Sequence, residues 1–433
     1  MSLIKPRLSF SQIINMNVGF FGIQYSFGLQ QSAVNPIYDM LGASPDEIPL
    51  LNLAGPLTGL LVQPIIGALS DRTWSPRFGR RKPYFFIGAL ICSLALFLFP
   101  FSSSLWMAAG LLWILDAGNN TAMEPYRAFV ADKLDPSQQA TGFQAQSFFT
   151  GFGQTLANLS LFVFPMFFVG YTGKLPTWVF ASFMLGAVCS IASIWWSMHT
   201  TPEIPPTEEE LIELKSKPLN LFAPFADIFT AIKEMPRVMW QLALVYLFQW
   251  YALFCYWQNA SKSVAASVWH TNPDNKTLYE EAVSWTGLVN GWYNIVTFLS
   301  AFALVWFARK YSPKMVHFFC LLLAAIGFLV FPMIENKYLL FAAITGFGVG
   351  WASMMGIPYL LVVNHIPKER YGVYMGIINM MIVIPMIIQN LSFGYILREH
   401  LHNDARGAVH FAGMLLVVAA ACTLLIRTQP KKA

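Results

Sequence analysis

Twelve stretches of mostly apolar residues, each long enough to cross a lipid bilayer, follow one another along this chain of 433 residues. In a bilayer every backbone N–H and C=O must be satisfied inside the protein. An apolar run of about 20 residues is therefore read as a membrane-spanning helix. The runs cover 13–38, 47–70, 84–102, 105–131, 141–170, 177–198, 238–266, 283–307, 315–334, 338–364, 371–397 and 408–427. Composition agrees: 56% of the residues are hydrophobic and 11% charged, against roughly 25% charged in soluble domains. The fold class that follows is an all-α membrane protein of twelve transmembrane helices. The first run is the least apolar, carrying Asn15, Asn17, Gln24, Gln30, Gln31 and Asn35, so its polar face is expected to line a wet space. No cleavable signal peptide is expected before it.

The distribution of lysine and arginine sets the orientation. With both termini cytoplasmic, the outer side holds only Lys174, Lys262, Lys276, Lys337, Arg398 and Arg406, and Arg127 lies within the membrane. The remainder of the 27 basic residues fall inside, as the positive-inside rule requires. The net charge of +5 is thus a matter of topology and points to no nucleic-acid partner. Cys92, Cys189, Cys255, Cys320 and Cys422 all fall in the apolar runs without paired spacing, so they read as packing residues. The histidines show no metal-ligand spacing beside carboxylates, so no metal is expected. No nucleophile and base are arranged for catalysis, and the chain is not expected to be an enzyme.

A hydrophilic stretch, 199–237, divides six runs from six. It reads as a cytoplasmic linker with a short amphipathic helix near Leu211, between an N-terminal bundle (1–198) and a C-terminal bundle (238–433). A weak internal echo supports related halves. Pro125-Tyr126 recurs as Pro358-Tyr359, each followed by a Pro-containing loop, around Pro136 and Pro367. Two related six-helix bundles are the architecture of the major facilitator fold. The symmetry breaks at the charges: at that same offset Asp116 falls on Val349 and Arg127 on Leu360. Ion coupling is therefore expected in the first half.

Asp116 lies near the centre of a run, Leu105 to Ala131, whose other charges are Glu124 and Arg127. A carboxylate at bilayer depth costs several kcal/mol (order of magnitude) and by default faces a cavity where it works. Steps of four and eleven residues place Asp116, Asn120 and Arg127 on one helix face, with Asn119 beside them. Arg127 is about 16 Å from Asp116 along the axis, so its nearer partner is Glu124, three residues before it. Glu124 and Arg127 are expected to form a charge pair at an inner gate, and Asp116 to carry the coupling proton at the midplane. Sugars are held by planar amides for hydroxyls and aromatic faces for C–H surfaces. The amides expected to line such a site are Gln24, Gln30, Asn119, Asn120, Gln154, Asn158 and Gln258, with Asp116 among them. An amide within a membrane helix serves equally as an interhelical hydrogen bond. The loop after the second run (GALSDRTWSPRFGRRKP) places Asp71 and Arg72 ahead of Arg80 and Arg81, a pattern expected of a conformational latch.

At these residues the chain resembles the sucrose/proton symporters of plants and their bacterial and animal relatives, within the glycoside-pentoside-hexuronide cation symporters of the major facilitator superfamily. GIQYSFGLQQSAVNPIYDMLG is similar to that family's first helix, LAGPLTGLLVQPIIGALSDRTWSPRFGRRKP to its second helix and latch loop, and WILDAGNNTAMEPYRAFVAD to its fourth. The resemblance implies that Asp116 is the protonation and substrate-binding acid and that Arg127 is needed for coupling. The chain departs from plant members in helix 7, where Phe254, Tyr256, Ala260 and Ser261 stand with only Lys262 nearby. It departs also in the first outer loop (Ser44-Pro45-Asp46-Glu47), and at Glu124. The compact loops resemble a bacterial inner-membrane member. The expectation is proton-coupled import of an α-glucosyl disaccharide, such as sucrose or maltose, by alternating access. The proton would be the coupling ion, with no other cofactor; the partners would be the sugar and the bilayer, and the chain a monomer. Sodium-coupled glycoside symport and a non-transporting membrane sugar sensor are the alternatives.

Overall fold

The computed structural model describes residues 5–135, 137–209, 212, 226, 230–362 and 371–427. Leu211, Pro136 and Pro367 lie outside the described residues, and with them the helix expected in the linker and both repeated proline positions.

The first apolar run is a helix in three pieces: α1 (Phe10–Leu29), a π-helical turn (Gln30–Val34) and α2 (Asn35–Met40). A short α3 (Ile48–Leu51) leads into α4 (Ala54–Arg72). There follow α5 (Lys82–Leu98), α6 (Leu105–Lys133), α7 (Gln139–Val163) and α8 (Thr177–Thr200). The later helices are α9 (Arg237–Val268), α10 (Lys276–Lys310), α11 (Pro313–Val330), α12 (Leu340–Val362), α13 (Tyr371–Glu399) and α14 (Ala405–Thr423). A two-stranded antiparallel hairpin, β1 (Tyr171–Thr172) with β2 (Leu175–Pro176), sits between α7 and α8.

Among the described residues, eight helical segments are long and apolar enough to cross a membrane. The helices that fall short of that standard, α1, α6, α7 and α10, are those carrying Gln24, Asp116, Gln154 and Asn158, and Asn290 and Asn294.

The chain divides into two compact units. The first comprises Met1–Leu29, Leu57–Ala157 and Gly170–Ala226; the second comprises Gln30–Pro56, Asn158–Val169 and Asp227–Ala433. In the first, α1 packs on α8 and α5 on both α6 and α8. Lipid tails are as apolar as leucine, so what holds such helices together is close packing and interhelical hydrogen bonding. Gly22 lies so close to α8 that a Cβ there would come within 2.5 Å of the Cys189 carbonyl. The core is aromatic: Phe85 and Tyr126 rings are 5.0 Å apart, with Phe20 and Phe129 around them. The Tyr126 hydroxyl donates to the Met16 carbonyl at 2.5 Å and meets Ser197 Oγ at 2.9 Å, tying α1, α6 and α8 at one point.

In the second unit, α9 packs on α14, α13 and α10, and α11 on α12 and α14. Tyr256 stacks on Phe328 at 4.4 Å and its hydroxyl donates to Asn290 Oδ1 at 2.9 Å. The 30–56 segment belongs to this unit: α3 packs on α13, and Asn52 joins Asn35 at 2.6 Å.

Candidate functional site

In the first unit α6 carries the central polar cluster. Its N-terminus is capped by the Ser104 side chain, which accepts from Met107 N. Three turns on, Asp116, Asn119 and Asn120 are buried at 3%, 0% and 3% exposure. Asn119 Nδ2 donates to Ser26 Oγ at 2.9 Å, and its Oδ1 accepts from the Cys92 thiol at 3.2 Å. Asn120 Nδ2 donates to Thr58 Oγ1 at 3.0 Å and to the Asp116 carbonyl at 2.9 Å, while its Oδ1 accepts from Gln63 at 2.5 Å. The two asparagines thereby clamp α6 to α1, α5 and α4. Gln154 on α7 donates to Gln24 on α1 at 2.9 Å. Asp116, Asn119, Asn120, Gln24 and Gln154 thus all lie in one unit. The amides among them join helix to helix in this conformation.

The other expected site amides lie in the second unit. Gln258 donates to Asn390 Oδ1 at 2.8 Å and accepts from Gln389 at 2.8 Å. Asn158 is fully buried where the end of α7 meets Gly287 of α10. Gln30 sits in the π-turn, and its side-chain amide nitrogen is buried without a hydrogen-bond partner among the described residues. A π-turn is a frequent mark of a functional site, because the extra residue re-aims neighbouring side chains.

The charge pair expected between Glu124 and Arg127 is not formed: no ion pair joins them among the described residues. Glu124 is half-buried, with its Cγ lying 3.6 Å from where a Gly67 Cβ would be on α4, whereas Arg127 is exposed. Three residues along a helix still leave about 60° between two side chains. Packing against α4 has placed them differently.

Asp71, Arg80 and Arg81, expected to act as a latch, lie in one ion-pair cluster that has further members. Arg81 pairs with Asp71 at 2.5 Å and with Asp132 at the end of α6 at 2.9 Å, and donates to Ser70 Oγ at 2.7 Å. Arg80 lies 3.7 Å from Asp71. Burial opposes the Arg81 charge, but Asp71 and Asp132 more than offset it and hold the guanidinium above its usual pKa. Arg72 ends α4, where a cation suits the helix dipole. Glu203, just past α8, accepts from the backbone N–H of Arg80, Arg81 and Lys82 at 2.8, 3.0 and 2.8 Å. Gly79 has φ +81° and leaves room for that carboxylate; a Cβ there would lie 2.6 Å from Glu203 Oε1. Sequence reasoning passed over Glu203 and Asp132, whose partners are 121 and 51 residues away along the chain.

It also passed over a buried triad in the second unit. Lys262 of α9 donates to Asp39 Oδ1 at 3.1 Å, and the Tyr279 hydroxyl of α10 donates to Asp39 Oδ2 at 2.5 Å. Both charged side chains are nearly inaccessible, at 7% and 3% exposure. Lys262, assigned by charge counting to the outer side, is therefore a buried helix residue and no loop anchor. A signal existed: Lys262 lies inside the seventh apolar run, 238–266, where a lysine is expensive unless it is paired.

Comparison with known proteins decides the family. The chain matches the Major Facilitator Superfamily over residues 16–390 and 263–433. It belongs to that superfamily. It is 23% identical over 439 residues to the sucrose transport protein SUT5 of Oryza sativa subsp. indica, covering 86% of this chain and 79% of that protein. It is 25% identical to the sucrose transport protein SUC4 of Arabidopsis thaliana, covering 90% and 85%. A general alpha-glucoside permease of Schizosaccharomyces pombe is 28% identical over 269 residues, covering 58% of this chain and 47% of the permease. In fold it is similar to the nucleoside transporter NupG (TM-score 0.71, 13% identity, 95% of this chain and 98% of that one). The inward-open xylose transporter XylE of E. coli is also similar (TM-score 0.68, 13% identity, 98% of each chain). The major facilitator fold, multi-pass membrane residence and a transporter's rather than an enzyme's role are thus properties of this chain.

Proposed function

We propose that this major facilitator protein imports an α-glucosyl disaccharide, such as sucrose or maltose, together with a proton by alternating access. The observation that carries the reading is Asp116: a carboxylate 3% exposed on a helix otherwise built for a membrane, with Asn119, Asn120, Gln24 and Gln154 in the same unit. A carboxyl there can load and release a proton, and the amides supply the planar donors and acceptors that a polyol requires. The names of the relatives, two sucrose transport proteins and an alpha-glucoside permease, support a glucoside as substrate. A monomer, in a bacterial inner membrane with both termini cytoplasmic and a linker at 199–237 between two bundles, completes the proposal.

In this mechanism Asp116 takes a proton from outside, sugar binds, and both leave inward once the inner side opens. The amide clamps on α6 would exchange helix partners for sugar hydroxyls during the cycle, which costs little because one hydrogen bond replaces another. The test separates coupling from binding. Asp116→Asn mimics the proton-loaded acid, so sugar-for-sugar counter-flow in proteoliposomes is expected to persist while uphill accumulation disappears. Uphill accumulation retained by Asp116→Asn would overturn the mechanism.

A further inference from the structure

We propose that a cavity of about 710 Å³ in the second unit, lined by Arg237, Gln241, Lys314 and the Leu424–Arg427 turn, holds the phosphate of an anionic lipid headgroup. Three elements converge on it: the first residue of α9, the first turn of α11 and the segment just past α14. Each contributes one cation, and no carboxylate is among the seven lining residues. Two of these elements are helix N-termini whose N-cap residues, Pro236 and Ser312, make no side-chain cap. Their backbone N–H groups and dipole ends therefore add positive potential to that of the side chains.

Two hydrogen bonds tie the lining elements together. Lys314 Nζ donates to the Leu424 carbonyl at 3.3 Å, and Arg427 N donates to Gln241 Oε1 at 3.0 Å. An ammonium has three donors, and one of them is occupied by that carbonyl. Part of the lining is apolar: Leu424 and Leu425 are exposed, at 45% and 56%. Phosphate recognition wants cations without competing acids, and an acyl chain wants exposed leucine beside them; this cavity offers both. A free phosphate would make no use of the leucines. The lysine and arginine distribution assigns these helix ends to the cytoplasmic side, where the leaflet carries the anionic lipids and basic pockets between helix ends take their headgroups.

The experiment uses the full chain, purified and exchanged into nanodiscs of phosphatidylcholine with or without phosphatidylglycerol. Lipid retention is read by native mass spectrometry and thermal stability by melting. The wild type is expected to retain phosphatidylglycerol over phosphatidylcholine and to melt higher with it. Arg237→Gln, Lys314→Gln and Arg427→Gln are each expected to cut that preference about fivefold, the effect of about one surface cation on an anionic lipid. The charge-keeping Lys314→Arg should preserve it, and Arg7→Gln, exposed in the other unit, should leave it intact. If one of these variants does not fold, the other two carry the test. An unchanged lipid preference in the neutralised variants would overturn the proposal. So would inorganic phosphate matching the lipid in stabilisation, which would make the cavity a soluble-anion site.

Discussion

Asn120 shows how much a single buried amide does in this molecule. It bonds Gln63, Thr58 and the Asp116 carbonyl at once, so its removal takes a hydrogen bond from each of two side chains on α4. In membrane proteins such bonds average about 0.6 kcal/mol each. Asn120→Ala is therefore expected to lower stability by about 1 kcal/mol, a fall of a few degrees in melting temperature. Arg127 behaves differently, because it is exposed and has no ion-pair partner in Glu124. Its charge is available for a step elsewhere in the cycle. Arg127→Lys retains the charge and loses the planar fork, so transport should fall while membrane insertion and melting stay unchanged. Wild-type uptake by Arg127→Ala would reduce the residue to a surface anchor.

At the scale of elements, two polar junctions hold segments far apart in sequence. The Asp39–Lys262–Tyr279 triad pins the 30–56 segment to α9 and α10. Breaking a buried ion pair by deleting one partner costs about 3–5 kcal/mol, because a charge is left uncompensated, whereas replacing both partners with apolar residues costs far less. Asp39→Leu and Lys262→Met should each lower the melting temperature sharply, and the double variant should recover most of the loss. Additive losses would mean that the pair contributes nothing as a pair. The loop before α5 is held by Glu203, which accepts from three consecutive backbone donors. Asp71→Asn leaves Arg81 held by Asp132, so its effect on the loop should be modest. Glu203→Ala should loosen the 75–82 loop more, read as faster labelling of a cysteine placed at Ser75. Equal labelling in both variants would show that the carboxylate is dispensable.

For the whole molecule, the coupling ion is the property that the arrangement bears on most directly. Asp116 is the acid of a cluster otherwise made of neutral amides and hydroxyls. A proton needs one basic oxygen, whereas sodium needs several oxygen ligands. Sugar uptake is therefore expected to follow an inward pH gradient and to collapse with a protonophore. Uptake driven by a sodium gradient at constant pH would contradict this.

The helices were legible from sequence because bilayer solvation acts on every residue of a run: α5, α8 and α9, for example, match their apolar runs with ends shifted by a few residues. Asp116 was legible for the same reason, since a charge in an apolar run is expensive wherever the run packs. The latch loop was legible as a pattern. Pairing was a different matter. Glu124 and Arg127 are neighbours on one helix yet face different surroundings, while Arg81 finds Asp132 and Arg80 to Lys82 find Glu203 across long stretches of chain. Lys262 was counted with the outer charges although it lies inside its apolar run, and the packed structure buries it against Asp39. Hydropathy is a property of each segment taken alone. The partner of a charge depends on which helix faces which and at what rotation, and only the packed structure decides that.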